Sequence, residues 1–164
     1  MRISEMDKLR RTDNSEVARF QVYINAAQRV FKNGELYVAL EATLFEINDE
    51  SVTDEDVVSG AYKDYNPIER CSESTVQEME TQIDALLTIN RSYWNPSYDY
   101  ADLIEDELRE GYWKHLEECF DYKHARVVEL GDSVPYVEMG RGFTYILYAP
   151  DMSRCLLLVG NEAD

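Results

Sequence analysis

The sequence predicts an α+β protein, with a helical N-terminal two-thirds of about four to five helices packed on a small C-terminal antiparallel β-meander. Three observations carry this expectation. Apolar residues recur at helical spacing through most of the chain as far as Cys119. After Ala125 the period shortens, and short apolar runs are bounded by Gly, Pro and Asp. Hydrophobic residues make up 45% of the chain, and twelve Tyr, five Phe and two Trp supply bulky anchors, which a disordered acidic tail would lack. At 164 residues the chain reads as one domain, with 1–13 a frayed arm, 14–122 mainly helical and 125–160 antiparallel strands.

Asp13 with Glu16 three residues on predicts a helix start, followed by Val17, Phe20, Ile24, Ala27 and Phe31 on one face and Asn33-Gly34 as the stop. Leu36, Leu40, Leu44 and Ile47 recur at i, i+4, i+8 and i+11 and predict a second, antiparallel helix. Asn-Gly between apolar runs is also a hairpin signal, and Gln21–Ile24 and Leu36–Val38 are good strand material; the helical pair is preferred. Thr53 and Asp56 form a capping box, with a short helix ending near Tyr62. Ser72 or Ser74 starts a helix that presents Val76, Met79, Ile83, Leu86 and Leu87 and stops near Asn90. An aromatic loop over 91–98, punctuated by Pro96, leads into a long helix from about Asp99 to Phe120, striped by Ile104, Leu108, Tyr112, Leu116 and Cys119. Arg126–Leu130, Val134–Val137, Phe143–Ala149 and Arg154–Val159 are the expected strands of the meander.

Charge is the most informative functional signal. Residues 1–33 carry seven bases and four acids, a net +3, whereas residues 34–107 carry nineteen acids and three bases, a net −16 of the chain's −17. Such an excess favours a basic partner or cations and disfavours direct contact with nucleic acid or an anionic membrane. Three cysteines with no CxxC point to a reducing compartment, the N-terminus has no secretory pattern, and no apolar run approaches the ~20 residues of a membrane helix; the expectation is a cytoplasmic protein.

The block from 99 to 121 holds nine acids and two bases among Tyr and Trp side chains. Carboxylates spaced along a helix can meet Lys and Arg, while aromatic rings give rigid contact area. The expected partner-binding set takes Asp99, Asp102, Glu105, Asp106, Glu110 and Glu117 from this helix, with Trp94, Tyr98, Tyr100 and Trp113 as anchors. Asp54, Glu55 and Asp56, together with Glu78 and Asp84, extend the field. Imitating DNA, at about one charge per 1.7 Å, demands that these acids merge into one face.

Chemistry-bearing motifs are weak. Asp54-Glu55-Asp56 and Asp102, Glu105, Asp106 offer oxygens to a divalent ion but lack the EF-hand pattern, and helix capping explains the first. His115 and Cys119 lie one turn apart without a second ligand pair. Gly140-Arg141-Gly142 is a strand turn rather than a phosphate loop, and nothing matches GxSxG, a P-loop or HExxH. The expectation is therefore no catalytic residue, metal or cofactor. It is a non-enzymatic acidic inhibitor of a basic, nucleic-acid-binding protein or nuclease. Phage anti-defence DNA mimics and nuclease-immunity proteins share this charge and size. A small enzyme with a carboxylate and divalent-metal site, or an acidic structural subunit, are the alternatives, and a homodimer would lengthen an acidic face.

Overall fold

The longest strand is the segment expected to be a second helix. In a computed structural model, which describes residues 8–30, 37–65, 68, 70–88, 98–131 and 142–163, Tyr37–Ile47 is an extended strand of 11 residues. The strands are β1 (Leu9–Arg11), β2 (Tyr37–Ile47), β3 (Ser72–Ser74), β4 (Arg126–Glu129), β5 (Gly142–Tyr148) and β6 (Arg154–Ala163). They form one six-stranded antiparallel sheet in the order β1-β2-β6-β5-β4-β3. Helices α1 (Ser15–Val30), α2 (Asp54–Ala61), α3 (Val76–Leu86) and α4 (Tyr98–Cys119) surround it.

This corrects the expected helical two-thirds on a C-terminal meander. β4, β5 and β6 do pair neighbour to neighbour, but β6 gives its other edge to β2, and strands from early in the chain complete the sheet. The physical reason lies in β2. Val38, Leu40, Ala42 and Leu44 are buried in one core and Phe45 in another, so the strand is covered on both sides. Apolar residues on both faces, with Glu41 and Thr43 among them, blur the alternation, and Leu at i and i+4 imitates a helix.

The two cores are the two faces of the sheet. On one, Phe20 and Ile24 of α1, Met79 and Ile83 of α3, and Tyr112 and Leu116 of α4 pack on Leu40, Tyr145, Leu147 and Leu156. On the other, Val57 and Val58 of α2 join Leu9, Phe45, Ile146, Tyr148 and Leu157. The buried tyrosines find acceptors for their hydroxyls: Tyr145 donates to Gln82 and Tyr148 to Asp54, and half-buried Tyr62 donates to Glu41. Both sheet edges end in three-residue strands, and β1 covers only Phe45–Ile47 of β2, with α1 side chains meeting part of the remaining edge.

Helix starts follow cap chemistry. Asn14 rather than Asp13 caps α1, its Oδ1 accepting from the Val17 amide at 2.8 Å. The Thr53–Asp56 box forms as expected. Thr75 caps α3, and Ser72–Ser74 is β3 rather than a helix start. Phe31, Asn33-Gly34, Asn90, Pro96, Val134–Val137 and Gly140-Arg141 lie outside the described residues.

Gly160 sits directly opposite Phe143 in the β5–β6 ladder, and a Cβ there would run into the Phe143 ring and Leu86. Because that ring is fully buried, it has no room to yield. Gly160→Ala is expected to destabilise the fold by about 1–3 kcal/mol, seen as a lower urea midpoint at unchanged slope. An unchanged midpoint would contradict this packing.

Candidate functional site

The C-terminal end of α3 is clamped to α4 by one arginine. Arg109 Nε donates to the Leu87 carbonyl at 3.1 Å and Nη2 to the Asp84 carbonyl at 3.0 Å, so a cation satisfies the helix's last acceptors. Glu105, 6% exposed, pairs with the same guanidinium at 3.1 Å one turn away. A second tie comes from Trp113, whose Nε1 donates to Asp84 Oδ1 at 2.8 Å while its ring meets Tyr112 at 5.1 Å and Tyr122 at 5.3 Å. Glu105, Trp113 and one oxygen of Asp84 therefore hold the two helices together rather than face outward.

These ties bring carboxylates from two helices into one field. Burial and then the charges of Glu80, Glu117 and Asp84 push the Tyr122 hydroxyl up to about 12. Glu80 and Asp84 of α3 and Glu117 of α4 thus act on one ring. Along the outer flank of α4, Asp102, Asp106, Glu110 and Glu117 recur at i, i+4, i+8 and i+15 and are all exposed. Lys123 reaches back to Glu117 at 3.3 Å. Glu78 begins α3 beside Tyr145, where its charge adds to that of Glu129 in raising that hydroxyl, after burial. Ser74 Oγ donates to Glu78 at 3.0 Å. Tyr100 and Leu103, 66% and 65% exposed, stand on the first turns of α4 next to the stripe. Tyr98 and Asp99 open that helix, while Trp94 lies outside the described residues.

The acidic triplet of α2 is not part of this shelf. It lies on the opposite face of the sheet and is engaged locally. Asp54 accepts from Tyr148 and from the Cys71 thiol, the latter at 2.9 Å. Glu55 accepts from the Tyr65 hydroxyl at 2.8 Å. Asp56 completes the capping box and faces Lys8 at 3.7 Å. The expected merger of α2 with α4 does not occur, because α2 follows β2 onto the far side of the sheet.

No group of three or more His, Cys, Asp or Glu among the described residues is placed to hold a metal. Cys119 and Cys155 are buried, and that burial pushes both thiols up to about 12. Cys71 is exposed, but desolvation and its bond to Asp54 hold its thiol at about 11, far from an activated nucleophile. His115 stacks on Tyr23 at 4.6 Å in the α1–α4 contact rather than joining Cys119 as a ligand pair. Sequence reasoning missed Tyr122 and the Arg109 clamp. The i, i+4 spacing of Glu105 and Arg109 was the available signal for the clamp, and nothing local marked Tyr122.

The fold is a three-layer arrangement, helices on both sides of a single antiparallel sheet. No protein-family model matches the chain, and no curated protein does. Crystal structures of citrus MAF1 share the fold over nearly the whole length. The structure in space group P 31 2 1 has a TM-score of 0.58 at 13% identity, covering 91% of this chain and 99% of that one. The structure in space group C 2 2 21 gives 0.58 at 12%, covering 90% and 98%. At such identity the likeness is one of fold. No helix among the described residues is long and apolar enough to cross a membrane.

Buried phenols and thiols set the alkaline limit of this fold. Their ordinary values are 9.0 for Cys119 and Cys155 and 10.0 for Tyr122, and burial raises all three to about 12, with Tyr112, Tyr145 and Tyr148 also raised. A raised folded pKa means that the folded state holds the proton longer. The stabilisation is complete below the unfolded value and lost as pH climbs through the folded one. Urea midpoints should therefore show no loss from these groups up to about pH 9 and fall steeply above it. A midpoint that holds steady well above pH 10 would show that these groups titrate freely in the folded state.

Proposed function

We propose that this protein is a non-enzymatic binding protein that presents the α3–α4 shelf to the lysines and arginines of a basic protein, in a reducing, cytoplasmic setting. The observation that carries the reading is the exposed stripe Asp102, Asp106, Glu110 and Glu117 beside Glu80 and Asp84, with two exposed apolar side chains at its end. The carboxylates steer encounter and match the partner's cations, and Tyr100 and Leu103 supply apolar anchors. The free state of all three cysteines agrees with a reducing compartment.

Charge density narrows the kind of partner. Asp102, Asp106 and Glu110 follow one another about 6 Å apart along α4, and Glu117 lies about 10.5 Å further on. One strand of DNA gives about one per 3.4 Å. The stripe alone is sparser than a phosphate backbone, and Glu78, Glu80 and Asp84 thicken it only on the α3 side. This spacing suits a basic helix or a groove of a nucleic-acid-binding protein or nuclease, where cations recur at protein rather than duplex intervals.

Capture from host lysate at low salt, followed by a high-salt wash, tests the proposal. A stoichiometric basic protein retained at low salt and released at high salt is the expected result. Asp106→Asn with Glu110→Gln should lower the association rate on the order of tenfold. Glu50→Gln with Glu55→Gln removes the same charge off the shelf and should change it little. Equal losses from both pairs, or binding indifferent to salt, would contradict the shelf as the contact.

A further inference from the structure

The outer edge of β2 is closed in an unusual way. β1 pairs with β2 only from Phe45 to Ile47, and the Thr12 amide then donates to the Leu44 carbonyl at 2.9 Å. Further along, Leu40 and Ala42 pair with β6 on one side and turn their amides outward on the other. Two glutamines of α1 meet those amides. Gln28 Oε1 accepts from Leu40 at 3.0 Å, and Gln21 Oε1 accepts from Ala42 at 3.3 Å. These oxygens occupy positions where a neighbouring strand's carbonyls would sit.

The substitution is a poor geometric match. Residues seven apart on a helix are about 10.5 Å apart. Alternate residues of an antiparallel strand are only about 6.8 Å apart. The long Gln21 contact reflects that mismatch, and the same side-chain amide is also drawn off to Asn25 Oδ1 at 2.8 Å. Beside these caps runs a groove of about 320 Å³ lined by Ala18, Val22 and Ala42, with Arg11 and Asp13 at one end. Val22 is 69% exposed, the most exposed of the large hydrophobic side chains among the described residues.

Charge selects the occupant. Residues 8–30, which form β1 and α1, carry five bases and two acids. Lys8 pairs with Asp56 and Arg10 with Glu46, so the charge at the groove is that of Arg11 and Arg29 beside Asp13. Arg11 is exposed in the groove, and Arg29, also exposed, shares a helical flank with Ala18 and Val22 by spacing. A second copy docked edge to edge about a two-fold would set these arginines against themselves. We propose that the edge of β2 from Leu40 to Ala42 accepts an extended, carboxylate-bearing segment of a partner protein, which adds as a further strand and displaces Gln21 and Gln28. The incoming carbonyls take the Leu40 and Ala42 amides, alternate apolar side chains enter the groove over Val22, and carboxylates meet Arg11 and Arg29. This surface is separate from the α3–α4 shelf, and the inference does not rest on the function proposed above.

The test uses the full chain, isotope-labelled, with a fluorescent peptide of alternating Val and Glu, its Val and Lys counterpart, and a Val and Glu peptide interrupted by proline. In physiological salt, long-range repulsion from the acidic remainder is screened. The Val and Glu peptide should bind and shift the Leu40 and Ala42 amide signals, and the other two should not. Gln21→Ala with Gln28→Ala removes the competing caps and should tighten binding on the order of threefold to tenfold, while Arg11→Glu with Arg29→Glu should abolish the preference for the acidic peptide. Because the wild-type signals are the first readout, the test does not depend on any variant folding. Equal binding of the Lys peptide, or shifts confined to α4, would overturn the proposal. Leu40 and Ala42 signals that change with protein concentration alone would overturn it in favour of a second copy.

Discussion

The pairing of β2 with β6 is the constraint on which the rest of the molecule depends. Ten residue pairs, from Tyr37 opposite Ala163 to Glu46 opposite Arg154, join a strand near the start of the chain to its last strand. Both strands lie inside the sheet and are buried on both sides. Joining segments so distant in sequence costs loop-closure entropy that only the completed double core offsets. The sheet is therefore an all-or-none commitment, and the helices have no independent scaffold to pack on.

That pairing also sorts the charge. α1 enters β2 from one face, and α2 leaves it onto the other. The acidic middle of the sequence is thereby split between two sides of the sheet, with the α2 carboxylates committed to caps and hydroxyls and the α3–α4 carboxylates gathered on one shelf. Arg11 and Arg29 stay exposed on the β1–α1 side, while Lys8 and Arg10 are taken up by Asp56 and Glu46. The molecule is thus polar in the electrostatic sense, and strong self-repulsion is relieved where acids meet local donors: Trp113 at Asp84, Arg109 at Glu105 and Lys8 near Asp56.

Local chemistry was legible in the sequence where it is short-range. The Thr53–Asp56 capping box, the extent of α4 and the apolar runs of β4, β5 and β6 are all set by neighbours within a few residues. β2 was not legible, because Leu40 and Leu44 satisfy a helical period while burial on both faces erases alternation. Only the position of β6, far along the chain, decides between them. The candidate site divides in the same way. The exposed flank of α4 follows from helical geometry, but the exclusion of α2, the inward turn of Glu105 and Trp113 and the role of Tyr122 depend on which face of the sheet each element reaches.

The α3–α4 shelf and the β1–α1 edge should differ in local electrostatic potential. Paramagnetic relaxation by a cationic and an anionic nitroxide, compared amide by amide, measures that difference directly in solution. The cationic probe should be enriched most along Asp102 to Glu117 and around Glu80 and Asp84, and the anionic probe near Arg11, Val22 and Arg29. A ratio that is uniform over the surface, or highest at α2, would contradict it.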